Sequence, residues 1–285
     1  MKLIAIDLDG TLLNSRHEIS EANIQAITTA QSQGVEVVVA TGRAEFDVRK
    51  VFEKTGLNTW VIGANGATIH KPDGSLFHSV AIRTEDAEEI LPYLEREKFY
   101  YEVFSDSAIL TPQNARELLQ IELDRIQSAN PSEDIAKLEM AIEKQFSQTG
   151  FLTVDSCQEI LNSDKPLYNV LAFSFEQQKL TKGWNAFKDH PYLTLVSSAD
   201  HNFEFEHREA SKGIALEKLA QELGISLTDT AAIGDSHNDL SMIHTAHYSA
   251  AMDNGHEDVK QAGAFVTKSN DDDGVAHAIE KWLSQ

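Results

Sequence analysis

With a single cysteine, Cys157, in 285 residues, the chain can form no internal disulfide, and its fold has to rest on packing and hydrogen bonds. Basic residues are also scarce. Lys and Arg number 24 against 45 Asp and Glu, a formal charge of −21, which leaves no basic stripe to neutralise a nucleic-acid backbone or an anionic lipid surface. No apolar stretch approaches the roughly 18 residues of a membrane span, and no charged-then-apolar leader opens the sequence. Internal repeats and low-complexity linkers are missing too. These absences give the expectation of a cytoplasmic, soluble protein, a monomer or weak homodimer, with no nucleic-acid or membrane partner. A small anionic ligand stays compatible with the charge balance if a metal or one or two cations act locally.

What is present reads as α/β. The runs "KLIAIDLD", "VEVVVATGR" and "TWVIGANGA" alternate with helical patterns, one opened by Ser20 and carrying Ile24 and Ile27, the next running through Phe46, Val51 and Phe52. Short Val/Ile runs separated by helices point to a parallel sheet covered on both faces. The pattern resumes late with the amphipathic "KGIALEKLAQELGI" and the strands "DTAAIGDS", "HYSAAMDN" and "AFVTKS". Between them the grammar changes to long acidic helices and aromatic-rich strands such as "YYEVFSDSAIL" and "LYNVLAFSFE", the habit of half-exposed antiparallel strands. The expected organisation is a doubly wound, Rossmann-like parallel-sheet core over 1–81 and 199–285, with an α+β cap domain over 82–198 inserted after its third strand. Pro92, inside "EDAEEILPYLEREKF", weakens the expectation of one continuous helix there.

Polar residues gather where each core strand stops: Asp7 and Asp9, then Thr41, Gly42 and Arg43, then Asn65 and Gly66, then Asp235 and Asp239. In open α/β sheets ligands bind beyond the carboxyl ends of the strands, so these groups are expected to converge. An extended Asp7 and Asp9 would hold two carboxylates side by side and repel. The pair makes sense if a hard divalent cation bridges it, or if one carboxyl is a nucleophile and the other a proton carrier. Asp7, Asp9 and Asp235 together offer oxygen ligands suited to Mg2+, while Thr41 and Lys212 can meet the oxygens of a transferring phosphoryl group.

"DLDGT", "ATGR", the Lys of "SKG" and "GDSHND", in that order, resemble the four motifs of the haloacid dehalogenase superfamily of phosphotransferases. The "DLDGTLL" start, "ANGA", the insertion after it and "SNDDDGVA" resemble more narrowly its Cof-type hydrolases, the type with a large α/β cap. The resemblance implies a Mg2+-dependent phosphatase acting on a sugar phosphate or a phosphorylated cofactor. By it Asp7 is the nucleophile that becomes an aspartyl-phosphate, and Asp9 the general acid and then base. Asp9 also lends its backbone carbonyl to the metal, with Asp7 and Asp235 as the other ligands. Thr41, Gly42, Lys212, Asn238 and Asn254 are the implied phosphate-side residues, Asp239 holds the lysine, Gly10 allows close approach, and Arg43 either binds phosphate, caps a helix or pairs with an acid. The resemblance places substrate choice on the inserted segment. A phosphomutase or other phosphotransferase, and a non-catalytic sensor of phosphometabolites, are the competing readings. Cys157 reads as a packed thiol, His244 and His247 as surface residues, His237 as a neighbour of the metal without a catalytic role, and Tyr100, Tyr101 and Phe104 as core packing.

Overall fold

The computed structural model describes residues 1–129, 134–146, 150–197 and 200–284. The elements run β1 (Leu3–Asp7), α1 (Glu21–Ser32), β2 (Glu36–Ala40), α2 (Glu45–Phe52), β3 (Trp60–Gly63), β4 (Thr68–His70) and β5 (Leu76–Ser79). Next come α3 (Thr84–Arg96), β6 (Tyr100–Ser105), β7 (Ile109–Pro112), α4 (Ala115–Ala129), α5 (Ile135–Gln145), β8 (Phe151–Val154), α6 (Cys157–Leu161), β9 (Leu167–Phe173), α7 (Gln177–Phe187), β10 (Leu193–Val196) and β11 (Asn202–His207). The chain closes with α8 (Lys212–Glu222), β12 (Thr230–Gly234), α9 (Leu240–Thr245), β13 (Tyr248–Ala251), α10 (Glu257–Ala262), β14 (Phe265–Val266) and α11 (Gly274–Leu283). Two compact units result, Met1–Val80 with Glu209–Gln285, and Ala81–Arg208.

In the first unit the strand order is β14-β13-β12-β1-β2-β3-β4-β5. Pairing is parallel from β14 to β3 and antiparallel at the β4 and β5 edge. Strand alternation explains why both faces are buried. Ile4, Ile6, Val37 and Val39 face one way, onto Ile27, Val48, Phe52 and Ile279 of the flanking helices. Leu3, Ala5, Val38 and Ala40 face the other, onto Leu216 and Leu219 of α8 and Met242 of α9. The Ser20 hydroxyl starts α1 by accepting the Asn23 N–H at 3.2 Å, as its place before the helical pattern predicts. The doubly wound core is thus present, and every core strand read from the sequence has its counterpart.

The second unit is a sheet of order β10-β11-β9-β6-β7-β8, antiparallel except for the parallel β7 and β8 pair. Four expectations change here. Because β11 pairs with β9 and β10, the return to the core falls after Arg208 rather than at 199; Ser198 and residue 199 themselves lie outside the described residues. "YYEVFSDSAIL" is not one strand but the hairpin of β6 and β7, closed by Ser105 N–H donating to Ala108 O at 3.0 Å, since Asp106 and Ser107 are turn formers. β6 and β9 are not half-exposed but buried along their whole length. One face packs Tyr101, Val103 and Val170 beneath Leu91 and Leu180 of α3 and α7, and on the other Phe146 lies 5.3 Å from the Tyr100 ring. α3 runs unbroken through Pro92. Burial of Ala87, Ile90, Leu91 and Leu94 on its inner face offsets the one backbone bond that proline removes.

Candidate active site

The site is built at the carboxyl ends of β1, β2, β3 and β12. Asp7 is the last residue of β1 and shares the face of Leu3 and Ala5, which is the face α8 covers, so its carboxylate meets the first residue of that helix. Lys212 Nζ donates to Asp7 Oδ1 and to Asp239 Oδ1, both at 2.6 Å, with its side chain wholly shielded from solvent. Ser211 fixes the start of α8 by accepting the Ile214 N–H at 3.1 Å. Asp239 Oδ2 accepts the backbone N–H groups of Asp235 and Ser236 at 2.9 and 3.0 Å, which folds the turn after β12 and sets Asp235 facing Asp7.

The strand stops at Asp7, and this resolves the repulsion expected of an extended Asp7 and Asp9 pair. Leu12 N–H donates back to Asp7 O, and Leu13 N–H to Leu8 O, so the chain turns and the two carboxylates acquire separate cations. Asp9 is gripped by Arg43, whose Nε donates to Oδ2 at 2.7 Å and Nη2 to Oδ1 at 2.6 Å. The remaining nitrogen, Nη1, donates to Asp47 Oδ2 at 2.8 Å. Of the three readings for Arg43, pairing with an acid is the one observed. Burial lowers its pKa, but the Asp9 and Asp47 carboxylates outweigh this and leave it raised. Asp47 is not among the residues the motifs single out, although its i,i+4 spacing from Arg43 signals such a pair.

Asp7, Asp235 and Asp239 are buried and offer oxygens within 4.8 Å of one another. Burial, then the Asp239 charge, push Asp7 well above the carboxylate range, against the pull of Lys212. Burial and Asp239 raise Asp235 likewise, moderated by the Thr11 hydroxyl at 2.9 Å and the Ser236 hydroxyl at 3.1 Å. Asp7 Oδ2 is buried and, among the described residues, receives no hydrogen bond. Gly10, at φ +83°, leaves room for Asp235, since a Cβ there would stand 2.5 Å from its Oδ2. Three buried carboxylates with converging hard oxygens and excess negative charge fit a small divalent cation such as Mg2+.

Thr41 is buried after β2, its hydroxyl oxygen accepting the Arg43 N–H at 3.1 Å. Gly42 leaves space for Asn65, whose Oδ1 would lie 3.2 Å from a Cβ on that glycine. Asn238 donates from Nδ2 to Asn65 Oδ1 at 3.0 Å. Asn254 is exposed, and its amide joins two loops, donating to Gly10 O at 2.8 Å and accepting the Asn270 N–H at 2.9 Å. His237 is exposed and stacks on His256, ring centroids 4.6 Å apart. Neither it nor His244 nor His247 joins the carboxylate cluster among the described residues.

A family model described as haloacid dehalogenase-like hydrolase matches residues 4–279. The chain belongs to that family. It is 54% identical over 285 residues to the phosphatase YwpJ of Bacillus subtilis strain 168, covering 99% of this chain and 100% of that one. It is 40% identical over 284 residues to 5-amino-6-(5-phospho-D-ribitylamino)uracil phosphatase YwtE of the same strain, covering 100% and 99%. A solved haloacid dehalogenase-like hydrolase from B. subtilis superposes with a TM-score of 0.87 at 54% identity, over 98% of this chain and 99% of that one. This chain is accordingly an enzyme, a phosphatase of that family. Among its described residues no helix is long and apolar enough to cross a membrane.

Proposed function

We infer that this phosphatase hydrolyses a small phosphorylated metabolite, a sugar phosphate or a phosphorylated cofactor, through an aspartyl-phosphate on Asp7. The observation that carries the reading is the asymmetry of the Asp7 carboxylate: Oδ1 is held by Lys212 while Oδ2 is buried and, among the described residues, without a donor, which is the arrangement of a positioned nucleophile. In the first step Oδ2 attacks phosphorus and the substrate's ester oxygen departs with a proton from Asp9. In the second Asp9 takes a proton from water, which attacks the acyl phosphate and returns Asp7. The two-armed Arg43 grip is made on the carboxylate form of Asp9, the form needed as base. To carry the proton of the first step, Asp9 gives up one of those bonds, and Asp47 keeps the guanidinium in place meanwhile.

Thr41, whose hydroxyl oxygen already accepts the Arg43 N–H, has its own proton free to donate to a phosphoryl oxygen. Lys212, Gly42 and Asn238 complete the phosphate side, and Asp239 holds the lysine. Asn254 contributes by fixing the Gly10 carbonyl and the Asn270 loop. Asp7, Asp235 and the backbone carbonyl of Asp9 would hold Mg2+. When bound, the ion offsets the carboxylate charge and stabilises charge developing on the phosphoryl oxygens. The substrate class is supported by YwtE, whose name gives a phosphoribitylaminouracil as its substrate, and by a relative 27% identical over 294 residues named HMP-PP phosphatase, from Yersinia pseudotuberculosis.

The test is phosphate release across a panel of phosphorylated sugars and cofactors, combined with mass spectrometry of acid-quenched Asp9→Asn enzyme mixed with an aryl phosphate. An activated leaving group needs no acid, so phosphate should accumulate on Asp7. Phosphate found on another residue would sink the mechanism.

A further inference from the structure

The turn after β3 is strained in a way its own sequence does not require. Ala64 (φ 46°), Asn65 (φ 52°) and Gly66 (φ 107°) all lie in the left-handed region, which only glycine adopts freely and asparagine tolerates. The surroundings impose it. Ala64 N–H donates to Arg43 O and Asn65 N–H to Thr41 O, both at 2.9 Å, and Gly66 packs so tightly on the Ser211 carbonyl that a Cβ would collide with it. The Asn65 side chain, 2% exposed, is thereby delivered between three segments of the site. It fills the space left by Gly42, accepts the Asn238 amide, and belongs to the turn that abuts the residue before Lys212.

Strain held by so many contacts marks a position whose placement matters. Asn238 is only partly buried and sits on a short turn, and its Oδ1 has no partner among the described residues, so the bond to Asn65 is what sets the rotation of its amide. We propose that Asn65 is a positioning residue for phosphoryl transfer, acting by fixing the Asn238 amide against the phosphate side of the site. This rests on the phosphatase mechanism given above.

Asn65→Gly separates the amide from the strain, because glycine accepts the left-handed backbone. Loss of one positioning hydrogen bond is expected to lower kcat about 10-fold, with KM for an aryl phosphate unchanged within about 2-fold. Asn238→Ala should have the same effect, and the double variant should be no slower than either single one, since both remove one interaction. Faster exchange of the Asn238 side-chain amide protons in Asn65→Gly, read by NMR, is the accompanying sign that does not depend on turnover. Full kcat in Asn65→Gly, or a double variant about 100-fold slower than wild type, would overturn the proposal. If Asn65→Gly does not fold, full kcat in Asn238→Ala overturns it as well, because Asn65 would then position nothing the reaction uses. A wild type with no turnover on any substrate tells against the phosphatase mechanism, whereas unchanged Asn238 amide exchange tells against Asn65 alone.

Discussion

Lys212 is a fully buried cation shared by two carboxylates, and its removal should show what the carboxylates around it are worth. Its side chain is wholly buried and lies 2.6 Å from both Asp7 and Asp239, whose side chains are 6% and 0% exposed. Lys212→Met keeps most of the stem's packing and deletes the charge, leaving buried carboxylates without their counter-ion. Breaking a buried pair in this way costs about 3–5 kcal/mol. At roughly 2–4 °C per kcal/mol for a domain of this size, the variant should melt about 6–20 °C below wild type in excess chelator.

The loss should depend on pH, and its sign follows from Asp7. Burial already raises the Asp7 pKa above its unfolded value while Lys212 opposes the rise, so without the lysine the folded pKa climbs further. A group raised on folding contributes stability below its unfolded pKa that is lost as pH rises through the folded one. Each unit of pH between the unfolded and the folded pKa costs about 1.4 kcal/mol, and the higher folded pKa of the variant lengthens that range. The gap in Tm between wild type and variant should therefore widen as pH rises above the ordinary carboxylate range, and adding Asp239→Asn should close part of it. A variant melting within about 2 °C of wild type at pH 8 would refute the reasoning, because Lys212 would then not be balancing buried charge.

Chelation should abolish phosphate release and added Mg2+ restore it, and Asp235→Asn should weaken Mg2+ binding by calorimetry while shifting the metal-free Tm by only a few degrees; full activity in excess chelator would remove the metal from the mechanism. In the second unit Asp86 is buried and accepts two N–H donors of Arg83, whose hydrogen bonds and charge hold its carboxyl below the usual range. That stability is present above the ordinary carboxylate pKa and lost as pH falls, so a Tm deficit of Asp86→Asn measured at pH 6 should shrink as the pH drops below about 4, and a constant deficit would contradict it. Burial, aided by the Glu95 carboxylate that accepts its S–H at 3.0 Å, pushes the Cys157 thiol up to about 12. Iodoacetamide should label it at neutral pH far more slowly than a free thiol, and Glu95→Gln should speed labelling; a fast native reaction would rule out this environment.

The parallel core strands and most helices were legible because their signals are local. Unbroken runs such as Leu3–Ile6 and Val37–Val39 leave no polar face to expose, which only a sheet covered on both sides accommodates. The polar residues at those strand ends were likewise readable in order, since Asp7, Thr41, Lys212 and Asp235 stand in motifs whose spacing is set by the chain alone. The limits of that reading were set by contacts remote in sequence. Nothing near Asn202–His207 says that this strand pairs with Leu167–Phe173, so the sequence pattern puts the second boundary of the insertion too early. Nothing in "DLDGT" says that Asp7 pairs with a lysine 205 positions away while Asp9 pairs with an arginine 34 positions away. Asn65 was visible as a polar strand end and as part of "ANGA", but not its task, which lies in what Gly42, Asn238 and Ser211 bring to it. Sequence determined which residues could carry charge and where strands had to stop. Tertiary packing decided which charges meet, because pairing buried ions depends on a match of position and desolvation that no short stretch of chain contains.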